Sequence, residues 1–62
     1  MAKVTVYYLV DGLVQRDRHK GKRRDVSVHI HDDAGPVKRG YVRVRGVQHL
    51  YGGVVKIVAK GL

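Results

Sequence analysis

The chain of 62 residues contains no cysteine, no glutamate, no phenylalanine and no tryptophan. Without cysteine it forms no disulfide and offers no thiolate to a metal, so a small domain lacks two common sources of stability. Serine occurs once, at Ser27, and no nucleophile-elbow or phosphate-loop glycine pattern is present. A chain this short also cannot wall off a water-excluding pocket. These absences predict a protein that is not an enzyme and that needs no cofactor.

Long hydrophobic runs are absent too. The longest apolar stretch, Val4–Val10, contains a threonine and is not followed by a small-residue cleavage site. It is too short to cross a membrane and does not match a signal peptide. We therefore expect an intracellular, cytoplasmic protein with no membrane partner.

The residues that are present favour β-structure. Valine occurs thirteen times and tyrosine four times, and eight glycines interrupt any long helix. Apolar residues alternate with polar ones, which is the period of a strand with one buried face. We predict a single all-β domain over residues 1–62. Its five short antiparallel strands, four clearly marked and one partial, would form a small barrel or a strongly twisted sheet of the SH3-like or OB-like kind.

The first two strands are predicted from a turn signal. Asp11-Gly12 after the strand Lys3–Val10 favours a two-residue hairpin that pairs Leu9 with Val14. Val4, Val6, Tyr8 and Val10 are predicted to face inward, so the same register places Asp17 on the core side, opposite Val6. We therefore expect the returning strand to leave the sheet after a few residues, with residues 15–25 forming a long basic loop or the exposed tip of a ribbon.

The third strand, Asp25–His31, alternates with Val26, Val28 and Ile30 on the inner side. The turn residues Asp32–Pro36 follow it. A loop of odd length would set Val26 opposite Val42, with a bulge near Gly35 or Gly40.

The stretch from Gly40 to Lys60 is predicted to form the last hairpin. Folding it back at Gln48–Gly53 pairs Val47 with Val54 and places Arg45 directly opposite Lys56. Like charges opposite each other disfavour a sheet by a few tenths of a kcal/mol. A polyanion lying over this face would remove that cost.

This stretch resembles the KOW motif of ribosomal and transcription-elongation proteins. The positions that carry the resemblance are glycines and alternating apolar residues: Gly40, Val42, Val44, Gly46, Gly53, Val55 and Ile57. Two spacings, Gly40 to Val42 and Val44 to Gly46, are each one residue shorter than in the motif. The resemblance implies an SH3-like barrel that contacts RNA or protein.

Charge indicates the kind of partner. Thirteen lysines and arginines against five aspartates give a net charge of +8 and an isoelectric point near 10.3. Such an excess is typical of nucleic-acid-binding modules, and anionic membranes are the second possibility. We predict a sheet face that stacks bases and contacts phosphates, with the basic loop as a clamp. The candidate DNA- or RNA-binding residues are Arg16, Arg18, Lys20, Lys22, Arg23, Arg24, His29, Tyr41, Arg43, Arg45 and Lys56.

Other interpretations remain open at this point. The same residues can be ordinary solvated surface. His29 and His31 share a strand face next to Asp32-Asp33, but a metal needs three or four convergent ligands and His49 is distant, so no metal is expected. A module or inhibitor that docks on an acidic protein surface is the main alternative function. A homo-oligomer completed by edge pairing is a further one.

Overall fold

The five strands of the chain form one antiparallel sheet. A computed structural model describes residues 1–31 and 38–62, and its strands are β1 (Ala2–Val10), β2 (Leu13–Gly21), β3 (Val26–His31), β4 (Lys38–Val44) and β5 (Val47–Lys60). Their order in the sheet is β2-β1-β5-β4-β3. The all-β prediction is thereby confirmed, with five strands, whereas the predicted turn at Asp32–Pro36 lies outside the described residues. None of the described residues forms a helix long and apolar enough to cross a membrane.

Strand β5 is shared between two neighbours. Its first half, from Val47 to Tyr51, pairs with β4. Val54 pairs with both Lys38 of β4 and Tyr8 of β1, and the second half from Lys56 onward pairs with β1 alone. The change occurs at a bulge beside Gly40, where Gly52 and Gly53 together face a single residue of β4. Gly53 has a φ of 65°, which glycine adopts without steric cost. The sheet therefore bends into two layers: a first layer of β2, β1 and the second half of β5, and a second layer of β3, β4 and the first half of β5.

The core lies between the two layers. Val4 and Val6 from β1 and Val42 from β4 are completely buried, and Ala2, Val26 and Val54 complete the cluster. The inward positions predicted for Val4, Val6, Val26 and Val42 are correct. Val10 and Ile30 were also predicted to face inward, but they are 45% and 41% exposed because they stand at strand ends, away from this cluster.

The sheet remains open between β2 and β3. These strands are not neighbours in the sheet order, and a 3₁₀ turn (Arg23–Asp25) spans the gap. The Arg45 N–H donates to the Asp25 carbonyl at 3.0 Å, which ties this turn to the hairpin between β4 and β5. Gly21 packs against the second layer so closely that a Cβ there would lie 2.9 Å from a methyl group of Val26. The two edge strands are therefore held together by the packing of Gly21 against Val26, since β2 and β3 are not hydrogen-bonded neighbours in the sheet.

The predicted register of the last hairpin is wrong. The chain turns at Arg45 and Gly46, whose φ angles of 54° and 81° are typical of a two-residue type I′ turn, and Val44 pairs with Val47. Arg45 therefore lies in the turn, and Lys56 pairs with Tyr7 of β1. The tight turn lets residues 47–51 hydrogen-bond to β4, whereas a six-residue loop would leave those backbone groups unpaired.

The pairing of β3 with β4 keeps the predicted faces but not the predicted partners. Val26 lies opposite Val44 instead of Val42, which is a shift of two residues. Because side chains alternate with a period of two, this shift leaves the same residues on the inner side.

The basic loop predicted at residues 15–25 is mostly strand. The register set by Asp11-Gly12 is correct, with Leu9 opposite Val14 and Val6 opposite Asp17, but the pairing continues to Gly21 instead of ending after a few residues. The expectation was wrong because the inward-facing Asp17 finds hydrogen-bond partners inside the sheet, as described below.

Gly40 is required by the close approach of β3. A Cβ added to Gly40 would lie 2.5 Å from the backbone oxygen of His29, whereas one added to Gly52 would meet nothing within 4 Å. We therefore expect Gly40→Ala to lower the free energy of unfolding by about 1–3 kcal/mol, as overpacking does. Gly52→Ala is the matched control, and it should leave stability unchanged or raise it slightly. Urea denaturation of the two variants compares them, and equal midpoints would contradict this account.

Candidate nucleic-acid interface

The outer surface of the first layer is strongly basic. Alternation in three adjacent strands turns cations and one tyrosine outward, and we call this set the basic face: Lys3, Tyr7, Arg16, Arg18, Lys20, Lys56 and Lys60. The six cations are exposed and Tyr7 is half-buried. None of the outward positions of these three described strands is acidic. The face therefore carries one sign of charge only.

Cross-strand pairing arranges these side chains in rows. Lys3 lies opposite both Lys20 and Lys60, so three ammonium groups share one row. Tyr7 lies opposite Arg16 and Lys56 in another row, four residues farther along β1. Like charges directly opposite each other destabilise a sheet by a few tenths of a kcal/mol per pair. Opposed like charges were predicted for Arg45 and Lys56, but they occur at the three lysines instead.

Tyr7 stands beside a cation within this face. The Lys56 ammonium lies 4.8 Å from the centre of the Tyr7 ring, which is cation–π geometry. A shallow groove passes along the same surface, and its lining includes Thr5, Tyr7 and Lys20. An anion in this groove would meet cations on both sides and an aromatic ring at its end.

The predicted site residues do not form one surface. Four of them (Arg16, Arg18, Lys20 and Lys56) belong to the basic face. Lys22, Arg23 and Arg24 lie beyond the end of β2, in and before the 3₁₀ turn, and Arg45 lies in the β4–β5 turn. His29, Tyr41 and Arg43 lie on the outer side of the second layer.

Lys3 and Lys60 belong to the basic face but were not among the predicted site residues. The signal for Lys3 was available, because it alternates with Thr5 and Tyr7 on the outward side of the first strand. Lys60 could not be placed beside it, since the pairing of Lys3 with Lys60 joins the first strand to the last.

The outer surface of the second layer has a different composition. We call it the His/Tyr face, and its members are His29, His31, Arg39, Tyr41 and Arg43. The rings of His29 and Tyr41 are stacked, with centroids 5.3 Å apart and planes 25° apart. In the next row the Arg43 guanidinium donates to the Gln48 side-chain oxygen at 3.4 Å. Among the described residues, no three histidine or acidic side chains are placed to hold a metal ion, and Asp32 and Asp33 lie outside that set.

A hydrogen-bonded cluster occupies the inner side at Asp17. The carboxylate accepts a hydrogen bond from the Tyr8 hydroxyl at 3.3 Å and one from the Tyr51 hydroxyl at 3.0 Å. His19 Nε2 lies 2.6 Å from the Tyr51 oxygen. Because Tyr51 gives its proton to Asp17, its oxygen accepts the Nε2–H of His19. These hydrogen bonds satisfy the inward-facing Asp17 carboxylate. Through Tyr51 they also join β2 to the second layer.

Burial shifts the pKa values of the histidine and the two tyrosines in this cluster. Desolvation lowers the pKa of His19, and the neighbouring His49, with its ring centroid 4.6 Å away, lowers it further, while Asp17 acts in the opposite direction. Desolvation and the contact with Asp17 raise the pKa of both Tyr8 and Tyr51. The neutral forms of the histidine and the tyrosines are therefore the ones that fit the fold.

Comparison with known proteins gives no match, since no protein-family model, no curated protein and no solved structure is significantly similar to the chain.

The lowered pKa of His19 predicts a pH dependence of stability. An unfolded histidine takes up its proton at about pH 6.5, whereas folded His19 does so only at lower pH. The unfolded state therefore binds more protons in the window below about pH 6.5, so stability is complete above this window and falls as the pH falls through it. Thermal unfolding at a series of pH values between about 8 and 5 measures the effect.

His19→Gln, whose amide can still donate to Tyr51, should flatten this dependence. The control is His29→Gln, which removes an imidazole on the opposite side of the sheet and should leave the dependence in place. A His19→Gln profile as steep as that of the unmodified protein would show that another group causes the loss.

Proposed function

We propose that the chain binds nucleic acid through the basic face and performs no catalysis. The observation that carries this proposal is the row of Lys20, Lys3 and Lys60 at one end of a three-stranded surface whose outward positions carry no carboxylate. A bound phosphate backbone neutralises such a row and turns an unfavourable arrangement into a favourable one.

The spacing of the cations suits a phosphate chain. Lys20, Arg18 and Arg16 project from alternate positions of β2, so their backbone positions are about 7 Å apart along the strand. This separation is comparable to that between successive phosphates of an extended single strand, the kind of ligand that cationic grooves with aromatic residues accommodate. Tyr7 supplies the aromatic ring on which a base can stack.

Two finer proposals accompany this function. An intracellular, cytoplasmic site of action follows from a nucleic-acid ligand. An SH3-like or OB-like relationship is supported by the neighbour relations of the strands: each strand lies beside its sequence neighbours and β1 lies beside β5, except that β2 and β3 are separated.

Docking on a protein is the second candidate function. Four apolar side chains at the β1–β2 hairpin remain in water, with Leu9 38%, Val10 45%, Val14 58% and Leu13 66% exposed. Exposed apolar groups that lie together often mark a contact surface. Recovery of one stoichiometric protein partner after nuclease treatment, lost in Leu13→Ser, would favour this function over nucleic-acid binding.

The lysine row can be tested with a variant that should lose nucleic-acid affinity while its thermal stability is kept or rises. Lys3→Gln with Lys60→Gln removes two phosphate contacts, so the slope of log affinity against log salt should fall by roughly one to two units. The same change relieves like-charge repulsion, so the thermal midpoint should hold or rise. Fluorescence anisotropy with single- and double-stranded oligonucleotides from about 50 mM salt upward measures the slope.

The charge-matched control for this test is Lys22→Gln with Arg45→Gln, which removes two cations outside the basic face. It should keep most of the affinity and of the slope. If both double variants lose affinity equally, binding is a diffuse charge effect and the basic face is not the site. If the unmodified protein binds no oligonucleotide at all, the proposed function is wrong.

Tyr7 tests whether bases stack on the face. A stacked base contributes about 1–3 kcal/mol, so Tyr7→Thr should weaken single-strand binding about 5- to 150-fold. Threonine keeps the preference for strand, and Tyr7→Phe keeps the ring and should keep the affinity. Equal losses in the two variants would show that the hydroxyl, not the ring, contacts the ligand.

A further inference from the structure

The two outer faces of the molecule point in opposite directions. β5 passes from one layer to the other at Gly52 and Gly53, and each layer turns its inner side toward the shared valine core. The basic face therefore lies on one side of the core and the His/Tyr face on the other.

The His/Tyr face has the groups that stack with bases. His29 and Tyr41 form a stacked pair on adjacent strands, and the centre of the His31 ring lies 6.2 Å from that of His29. Arg43, in the neighbouring row, presents an exposed guanidinium group. Flat rings and a guanidinium plane are what proteins use to hold unpaired bases. Among the described outward positions of this layer, none is acidic.

The two faces also differ in what they contribute. The basic face combines six cations with one ring, whereas the His/Tyr face combines several rings with few cations. One bound strand cannot lie flat on both faces, because the core separates them.

We infer that the protein holds two nucleic-acid segments at once, one on the basic face and one on the His/Tyr face, and so bridges two strands. This inference rests on the proposed nucleic-acid function. It adds a second binding site and an activity, the bringing together of separate strands, that binding at one face does not imply.

A capture experiment tests the bridge. One oligothymidylate of about 15 nucleotides is attached to beads and a second, fluorescent one is free, so that the strands cannot pair with each other. The protein should retain the free strand on the beads when it is equimolar to the strands. Retention should fall again at large protein excess, because each strand then binds its own protein molecule.

The decisive variant is His29→Gln with Arg43→Gln, both at exposed strand positions. It should capture at least tenfold less of the free strand while its affinity for a single strand stays within twofold of the unmodified value. Lys22→Gln is the matched control, because it removes the same single positive charge outside both faces, and it should capture normally. Far-UV circular dichroism confirms that each variant is folded.

Each outcome of the capture experiment supports or overturns the bridging of two strands by one protein molecule. Sedimentation of a complex with two strands and one protein chain supports the bridge, whereas two chains per complex would mean that an oligomer joins the strands and would overturn it. Normal capture by the His29→Gln and Arg43→Gln variant overturns it as well. Binding of the first strand without capture contradicts the bridge alone, and no binding of the first strand contradicts the nucleic-acid function itself.

Discussion

The bend in β5 is the constraint on which the rest of the structure depends. A single strand hydrogen-bonds first to β4 and then to β1, so the two layers are parts of one sheet and cannot be separated. Gly53 makes this possible, because it adopts a left-handed backbone angle and a Cβ there would lie 3.2 Å from the backbone oxygen of Leu9. The valine core and the direction of both outer faces follow from this bend.

A second requirement is the pairing of a carboxylate on the inner side. An inward aspartate without partners would cost several kcal/mol, which is enough to drive a strand out of a small sheet. Asp17 instead accepts hydrogen bonds from tyrosines on β1 and β5. β2 therefore stays paired along its whole length, and its alternate residues become the outer row of the basic face.

Local signals explain how much could be predicted from the sequence. Asp11-Gly12 defines the register of the first hairpin, and valine alternation identifies Val4, Val6, Val26 and Val42 as core. The last hairpin was misjudged because Arg45-Gly46 is a weak turn signal: an arginine with a positive φ is uncommon, and its preference was overruled by the strand pairing on both sides.

The functional faces depend on contacts that a sequence does not display. The composition alone favoured a polyanionic partner, and alternation assigned most cations to the outside. Their division between two opposite surfaces could not be foreseen, because it follows from the pairing of β1 with β5 and from the position of the bend. The hydrogen-bond partners of Asp17 were hidden for the same reason, since Tyr51 lies far along the chain from it.

The position of β1 between β2 and β5 has a consequence for how the chain folds. The β1–β2 hairpin closes through a tight turn and can form early, but the other edge of β1 must wait for the last strand of the described chain. Pairings between residues distant in sequence form slowly. Until β5 pairs, its side chains do not cover Val4 and Val6, and a hairpin with exposed valines is open to aggregation. The arginines and lysines of this hairpin oppose aggregation until β5 pairs, because molecules with the same sign of charge repel one another.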